Sequence, residues 1–370
     1  MHILLAEPYL GGSHAAWGEG LRRHSRHTVD ILSLPGRSWK WRMHGGAITL
    51  AERFRALDRR PDRILATDML DLTTFLALTR DRTADIPAAL YFHENQFAYP
   101  RSPRDPDRES GRDHHYAFIN FASALAADRV LFNSAFNRDS FLEGAREMLG
   151  AIRDHGEAEK VNEVAAKSTV LPLGLELRAL DRHRPQEPVR SSPPLLLWNH
   201  RWEHDKNPEG FFRVLRALAA EGLEFRVAVL GRAPRRPPPA FAEGRKTLGD
   251  RIVHFGYAED AADYARWLWA ADILPVTSYH DFFGISVMEA VYCGAFPLLP
   301  RRQAYPGLLP RSWHPHCLYG DEEELTGRLR ELLRAGRSKT AELAALAASY
   351  DWGQMAPEYD RILEEVAAGQ

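Results

Sequence analysis

The segment Asp281–Gly294, DFFGISVMEAVYCG, sets two carboxylates, Asp281 and Glu289, around a Phe283-Gly284 turn in otherwise apolar sequence. A carboxylate in apolar surroundings is costly unless something binds it. Sugar and ribose hydroxyls suit the task, because one carboxylate accepts hydrogen bonds from both hydroxyls of a diol; an internal pair between Glu289 and a buried arginine is the alternative. Gly284 permits close backbone approach, and a helix beginning beyond it would aim unpaired amides and its positive end at the same ligand.

A second constellation lies in WNHRWEHDKNPEGFF, where Arg201 and Lys206 follow an apolar run and precede Asn207-Pro208, a good N-cap and first-turn pair. Two cations between a strand end and a helix start suit a diphosphate. His200 and His204 stand four apart, but the segment is not HExxH and reads as a loop, so no metal is assigned there. WHPHC, Trp313 to Cys317, has no second cluster at zinc spacing and reads as a loop too.

Weaker signals follow other apolar runs. In EPYLGGSH, Gly11 and Gly12 would let backbone amides approach a phosphate or sugar, or simply shape a turn; the pattern is not GxGxxG, which argues against NAD. In YFHENQFAYP, His93, Glu94, Asn95 and Gln96 line up as a polar row that suits a lined site, with a structural histidine as the alternative. Asn133 and Ser134 in VLFNSAFN are explained by capping of the next helix. Gly256 and Tyr257 in IVHFGYAE leave backbone groups for a purine edge, or form a turn.

The first sixty-odd residues hold eleven Arg and Lys against six acids, in a chain whose net charge is −2. Within them GRSWKWRMHGG interleaves Trp39 and Trp41 with Lys40 and Arg42, a pattern for phosphate contact and base stacking, or else a solvated face with two core tryptophans.

Elements must position these residues. Apolar runs HILLAEP, VDILSLP, RILATD, AALYFHE, RVLFNS and STVLPLG alternate with amphipathic stretches such as SHAAWGEGLRRHS and FINFASALAA. That alternation predicts βα units around a parallel sheet. DRHRPQEPVRSSPP, Asp181 to Pro194, reads as a linker. A second series follows: LLLWNH, FRVAVLG, IVHFGY, DILPVTS and AFPLLP. The expected organisation is an α/β chain with two Rossmann-like domains whose parallel sheets face each other across a cleft. An N-terminal domain spans 1–180, a linker 181–194, a second domain 195–345, and a terminal helix, 346–370, packs back toward the first domain. Arg101–Asp113 and Arg232–Ala240 read as exposed low-complexity loops. Ligands in such folds bind at the carboxyl ends of the strands.

The bulk numbers agree with an ordinary globular chain: 370 residues, 45% hydrophobic, 26% charged. Two cysteines outside any CxxC pair argue for a reducing compartment. The opening apolar run is too short for a signal peptide, and no stretch approaches the about 20 apolar residues of a membrane helix. The expectation is a cytoplasmic protein without stable membrane association.

Taken together, DFFGISVMEA and RWEHDK resemble the E-x7-E and R-x4-K patterns of retaining GT-B glycosyltransferases, with Asp281 in the first acidic place and His93 where that family keeps a histidine. More narrowly, EPYLGGSH, WKWR, YFHENQFAYP, VLFNSAFN, HRWEHDKNPE and EAVYCGAFPLLP resemble the tRNA-queuosine α-mannosyltransferases, from Glu7 to about Pro306. The resemblance implies GDP-mannose as donor and the cyclopentenediol of queuosine at the tRNA-Asp wobble position as acceptor. It implies catalytic roles for His93, Arg201, Lys206 and Asp281, and no metal or cofactor. Donor contacts would come from Gly11, Gly12, Arg201, Lys206, Gly256, Tyr257, Asp281, Phe283, Gly284 and Glu289. Acceptor contacts would come from Trp39, Lys40, Trp41, Arg42, Glu94, Asn95, Gln96 and Asn133. Asp281 is one methylene shorter than the family's Glu. Rival readings are a retaining hexosyltransferase acting on a lipid or small glycoside, a nucleotide-sugar epimerase, and a non-catalytic tRNA-binding protein.

Overall fold

A computed structural model describes residues 1–100, 113–186, 192–335 and 340–367. Of the expected loop at 101–113, residues 101–112 lie outside this set, as do residues 187–191 of the expected linker. The chain forms two compact units, Met1–Leu175 joined by the segment from Trp352 onward, and Glu176–Asp351.

The first unit carries strands β1 His2–Leu10, β2 Thr28–Pro35, β3 Arg63–Thr67, β4 Ala88–Phe92, β5 Arg129–Phe132 and β6 Ser168–Val170. They form one parallel sheet in the order β2-β1-β3-β4-β5-β6. The second carries β7 Leu195–Asn199, β8 Arg226–Leu230, β9 Ile252–Gly256, β10 Ile273–Pro275, β11 Phe296–Pro300 and β12 Leu318–Tyr319. These are also parallel, in the order β12-β11-β10-β7-β8-β9. Short, fully buried runs such as Ala88–Phe92 and Leu195–Asn199 suit central strands covered on both faces.

Helices close both faces. In the first unit Leu4, Ile64, Leu90 and Val130 pack with Leu50, Phe54, Phe75 and Phe141. On the other face the helix Gly12–His24 meets the helix Trp352–Glu365. Trp352 is buried in a notch formed by two glycines: a Cβ on Gly20 would lie 2.0 Å from its Nε1, and one on Gly174 2.4 Å from its ring. The hydroxyl of buried Tyr359 accepts from Trp17 Nε1 at 3.0 Å and donates to the Pro172 carbonyl at 2.8 Å. The carboxylate of Asp360 takes the Ser25 hydroxyl and the Arg26 amide.

Sheet order decides where ligands can sit. In the first unit it reverses between β1 and β3, and in the second between β7 and β10. Side chains just past the carboxyl ends of those strands line the crevices where doubly wound sheets hold ligands. Among the described residues no helix is long and apolar enough to cross a membrane.

Candidate functional site

The second unit's crevice is built by two loops stitched together. After β7 the chain makes a tight turn at His204–Lys206, and Asn207, in the left-handed region at φ 52°, caps the helix Pro208–Ala220 through its side-chain oxygen. After β10, Thr277 Oγ1 lies 3.0 Å from the carbonyls of Lys206 and Asn207, and the Tyr279 amide donates to the Asp205 carbonyl at 2.7 Å. Those bonds bring Lys206 beside Asp281. Lys206 Nζ donates to the His280 carbonyl at 2.8 Å and lies 3.2 Å from both Asp205 Oδ2 and Asp281 Oδ2. Tyr305 completes the group with a 3.0 Å hydroxyl bond to Asp281 Oδ2.

The charges support one another. Burial alone would lower the Lys206 pKa, but Asp281 and Asp205 raise it. Burial alone would raise Asp281, but Lys206 holds it below the ordinary carboxylate value. His200 and His280 are pushed down to about 4 by burial and then by the Lys206 charge, so both imidazoles are neutral near pH 7. His200 Nδ1 meets Ser286 Oγ at 3.0 Å, leaving its buried Nε2 without a partner. Arg201 is exposed and touches Glu203 at 3.1 Å.

Gly284, at φ 104°, starts the helix Ile285–Tyr292 with no side-chain cap, so its first amides remain for a ligand. A Cβ there would approach Leu308 to 3.1 Å. Phe283 is buried, its ring edge-on to Tyr350 at 5.4 Å. One helical turn on, Glu289 accepts a 2.6 Å bond from Tyr264 on the helix Ala261–Ala270. Burial pushes Glu289 up to about 7, and the Tyr264 hydroxyl opposes that shift. Glu289 therefore answers to a tyrosine rather than to the arginine considered as an alternative. Asn199 Nδ2 donates to the Ser286 carbonyl at 2.7 Å and lies 3.5 Å from the Tyr264 hydroxyl, while its buried Oδ1 lacks a partner. At the end of β9, Gly256 has φ 145° with nothing near its Cβ position, and Tyr257 is 72% exposed.

The first unit's crevice centres on Glu7, His14 and His93. Glu7, fully buried near the end of β1, accepts from the Tyr9 amide at 2.7 Å and from His14 Nδ1 at 2.8 Å. Burial alone would lower His14, but the charge and hydrogen bond of Glu7 carry it up to about 9. His93 stacks 4.2 Å from His14 and edge-on to Trp17. Burial, then His14, pushes His93 well below its ordinary value. Its amide donates to Asp68 Oδ1 at 2.8 Å, while its buried Nε2 and Asp68 Oδ2 have no hydrogen-bond partner. Glu7, His14 and His93 are close enough to hold a metal, and they are the one such group among the described residues. The tight Glu7–His14 pair keeps the imidazole protonated at neutral pH, which disfavours it as a ligand.

Several expected contacts find different duties. Asn95 is fully buried, its amide nitrogen bonded to Asn137 and its oxygen to the Phe97 and Ala98 amides. Asn133 Nδ2 holds the His93 carbonyl at 2.7 Å, and its oxygen accepts from Asn137. Both amides hold bonds inside the fold. Glu94 and Gln96 pair at 3.3 Å beside them. Gly11 serves a close approach to Gly36, whose Cα lies 3.2 Å from a Cβ built there; Gly12, at φ 54°, faces open space. Trp39 and Lys40 sit at the start of the helix Trp39–Arg55, with Trp39 packed on Tyr116 and Lys40 over both rings. Arg42 reaches the Pro35 carbonyl, and Trp41 remains 63% exposed. WHPHC, expected as a loop, is a turn of helix, His314–Cys317, with Cys317 buried.

Sequence reasoning missed Tyr264, Tyr305, Asp205 and the Glu7–His14 pair. The last had a signal in EPYLGGSH, an acid and a histidine flanking the glycine turn; the tyrosines come from distant segments and had none.

Residues 2–175 match the family described as tRNA-queuosine alpha-mannosyltransferase N-terminal, and residues 180–308 match glycosyl transferases group 1. The chain is 33% identical over 346 residues to the Drosophila melanogaster tRNA-queuosine alpha-mannosyltransferase, covering 91% of this chain and 88% of the fly protein. It is 26% identical over 322 residues to a Mycobacterium tuberculosis GDP-mannose-dependent alpha-(1-6)-phosphatidylinositol dimannoside mannosyltransferase, covering 81% and 74% of the two chains. Among solved structures, sucrose-phosphate synthase from Thermosynechococcus elongatus superposes with a TM-score of 0.70 at 15% identity, covering 99% of this chain and 98% of that one. Anabaena HepE in complex with UDP gives 0.67 at 16% identity, covering 98% and 100%. These structural likenesses establish the GT-B fold.

Proposed function

Because the chain belongs to the tRNA-queuosine alpha-mannosyltransferase family, we propose that it moves mannose from GDP-mannose, with retention, to a cyclopentenediol hydroxyl of queuosine at the wobble position of tRNA-Asp. The supporting observation is the joined Lys206–Asp281–Tyr305 and Glu289–Tyr264 groups at the β7/β10 switch point, in a chain similar to the fly enzyme over both units. The mycobacterial relative named GDP-mannose-dependent favours that donor.

In this reading Glu289 takes the ribose hydroxyls, and Tyr264 holds the carboxylate in place. Asp281 and the first amides after Gly284 orient the hexose. The exposed Arg201 and the buried Lys206 counter the diphosphate charge that grows as the bond from the anomeric carbon to the phosphate oxygen breaks; fixed cations do this without a divalent ion. The acceptor oxygen bonds to the anomeric carbon on the departing face. Its proton passes to the leaving phosphate oxygen, so no protein carboxylate acts as base. The first unit contributes His93, neutral beside protonated His14, as the group that stabilises the sugar near its reacting carbon, and Glu94, Gln96 and Trp41 as acceptor contacts. Two buried free thiols and a tRNA substrate accord with action in the cytoplasm.

Mass spectrometry of nucleosides from queuosine-containing and queuosine-free tRNA, each incubated with the protein and GDP-mannose, tests the reading. A hexose gained by queuosine alone is the expected result. Donor consumption with bare queuosine would point to another acceptor.

A further inference from the structure

One motif has no place in the chemistry above. The loop after β8 and the helix Pro239–Leu248 carry Arg232, Arg235, Arg236, Arg245 and Lys246 against a single acid, Glu243. All five cations are exposed. Three other arginines of this unit are neutralised: Arg213 by Glu322, Arg330 by Glu221, Arg251 by Glu224. Among the described residues no such ion pair engages these five.

The loop is fixed in place. Trp202, next to Arg201, donates its amide to the Arg232 carbonyl at 3.1 Å and its indole to the Leu230 carbonyl at 3.2 Å. Phe241 stacks on Trp202 at 4.3 Å, and Arg245 lies 5.0 Å over Phe255. Pro237, Pro238 and Pro239 restrict the backbone between loop and helix. These groups rim a concavity of about 440 Å³. The loop that carries the strip is thus anchored to the residue that follows Arg201, the exposed cation of the candidate site.

We propose that this strip is a phosphate-backbone grip for the tRNA substrate, carried by the second unit; the inference rests on the acceptor being tRNA. Charge without counter-charge, held rigidly, suits a polyanion. Trp202 and Phe241 are buried and offer no stacking face, so the contact reads phosphates and not bases. No large exposed apolar residue lies among 232–246 to enter a bilayer.

The test is binding of queuosine-free tRNA across a salt series, with the KM for GDP-mannose measured alongside. Arg235→Glu/Arg236→Glu weakens tRNA binding about tenfold or more and lowers the slope of log affinity against log salt by about 1 to 2; the GDP-mannose KM does not change. Arg235→Lys/Arg236→Lys keeps affinity within about twofold, because only charge is asked of the side chains. Unchanged tRNA affinity in the Glu variant overturns this inference alone. So does a raised GDP-mannose KM at unchanged tRNA affinity, which would assign the strip to the donor. A wild-type protein with no affinity for tRNA overturns the acceptor reading and this inference together.

Discussion

Lys206 Nζ and Asp281 Oδ2 lie 3.2 Å apart, joining two segments seventy-five residues distant in sequence into one charged centre. Lys206 also faces Asp205 at 3.2 Å, so the ammonium serves two carboxylates while Asp281 has a second donor in Tyr305. The two deletions are therefore unequal. Lys206→Ala strands both acids and costs about 3 kcal/mol, as for a broken buried pair. Asp281→Ala leaves Lys206 with Asp205 and the His280 carbonyl and costs less. Urea unfolding of the two variants checks the order.

Glu289 gives a pH signature. Its folded pKa is pushed up to about 7 from an ordinary value of 4.5. Between those values the folded protein binds the proton that the unfolded chain has released, so this group's contribution to stability falls as pH rises through the window. Glu289→Gln removes that part of the slope in a pH series of unfolding midpoints. Donor affinity runs the other way in the wild type, since the carboxylate accepts a diol better than the acid; the KM for GDP-mannose falls as pH climbs past about 7.

Tyr264→Phe separates the tyrosine's role from simple packing. Losing a charge-assisted hydrogen bond worth about 1.5–3 kcal/mol raises the donor KM about tenfold or more. It also moves the midpoint of the KM–pH curve above the wild-type value. A variant with altered packing alone would leave that midpoint where it was.

How much of this was legible in the chain depends on distance along it. The eleven runs read as strands all form strands, because each is a short segment rich in apolar residues and bounded by turn residues, and the central ones are continuous apolar runs of the kind a covered parallel sheet requires. β12 went unread because two residues make no pattern. The acids and cations of the site were visible because charge inside apolar sequence is conspicuous. Their partners were not: Tyr264 and Tyr305 look like any helical or loop tyrosine until folding brings them to Glu289 and Asp281. The internal bonds of Asn95 and Asn133 were equally hidden, since a polar row after a strand serves loop closure as readily as it serves a ligand.

His14 contributes stability with the opposite pH sense to a carboxylate held low. Its folded pKa is raised to about 9 from 6.5, so the stabilisation is complete below 6.5 and is lost as pH rises through 9. His14→Asn abolishes the decline and leaves Glu7 buried without its charge partner, lowering stability by about 3 kcal/mol. Thermal unfolding between pH 6 and 10 measures both effects.

Gly20→Ala places a methyl carbon 2.0 Å from Trp352 Nε1, where neither helix can give way without displacing the indole. Overpacking of this kind costs about 1–3 kcal/mol. The loss is seen in the thermal midpoint, and Trp352→Phe in the same protein recovers part of it by vacating space.

The Trp352 notch also sets an order of assembly during synthesis. The walls of the notch, Gly20 and Gly174, leave the ribosome before any of the second unit, yet the indole that plugs them is translated only after all of it. A nascent first unit therefore waits with an apolar groove open to solvent while an entire second sheet is made. Its closure certifies that the whole second unit was translated, so a chain terminated before Trp352 carries its defect in the half that was completed first.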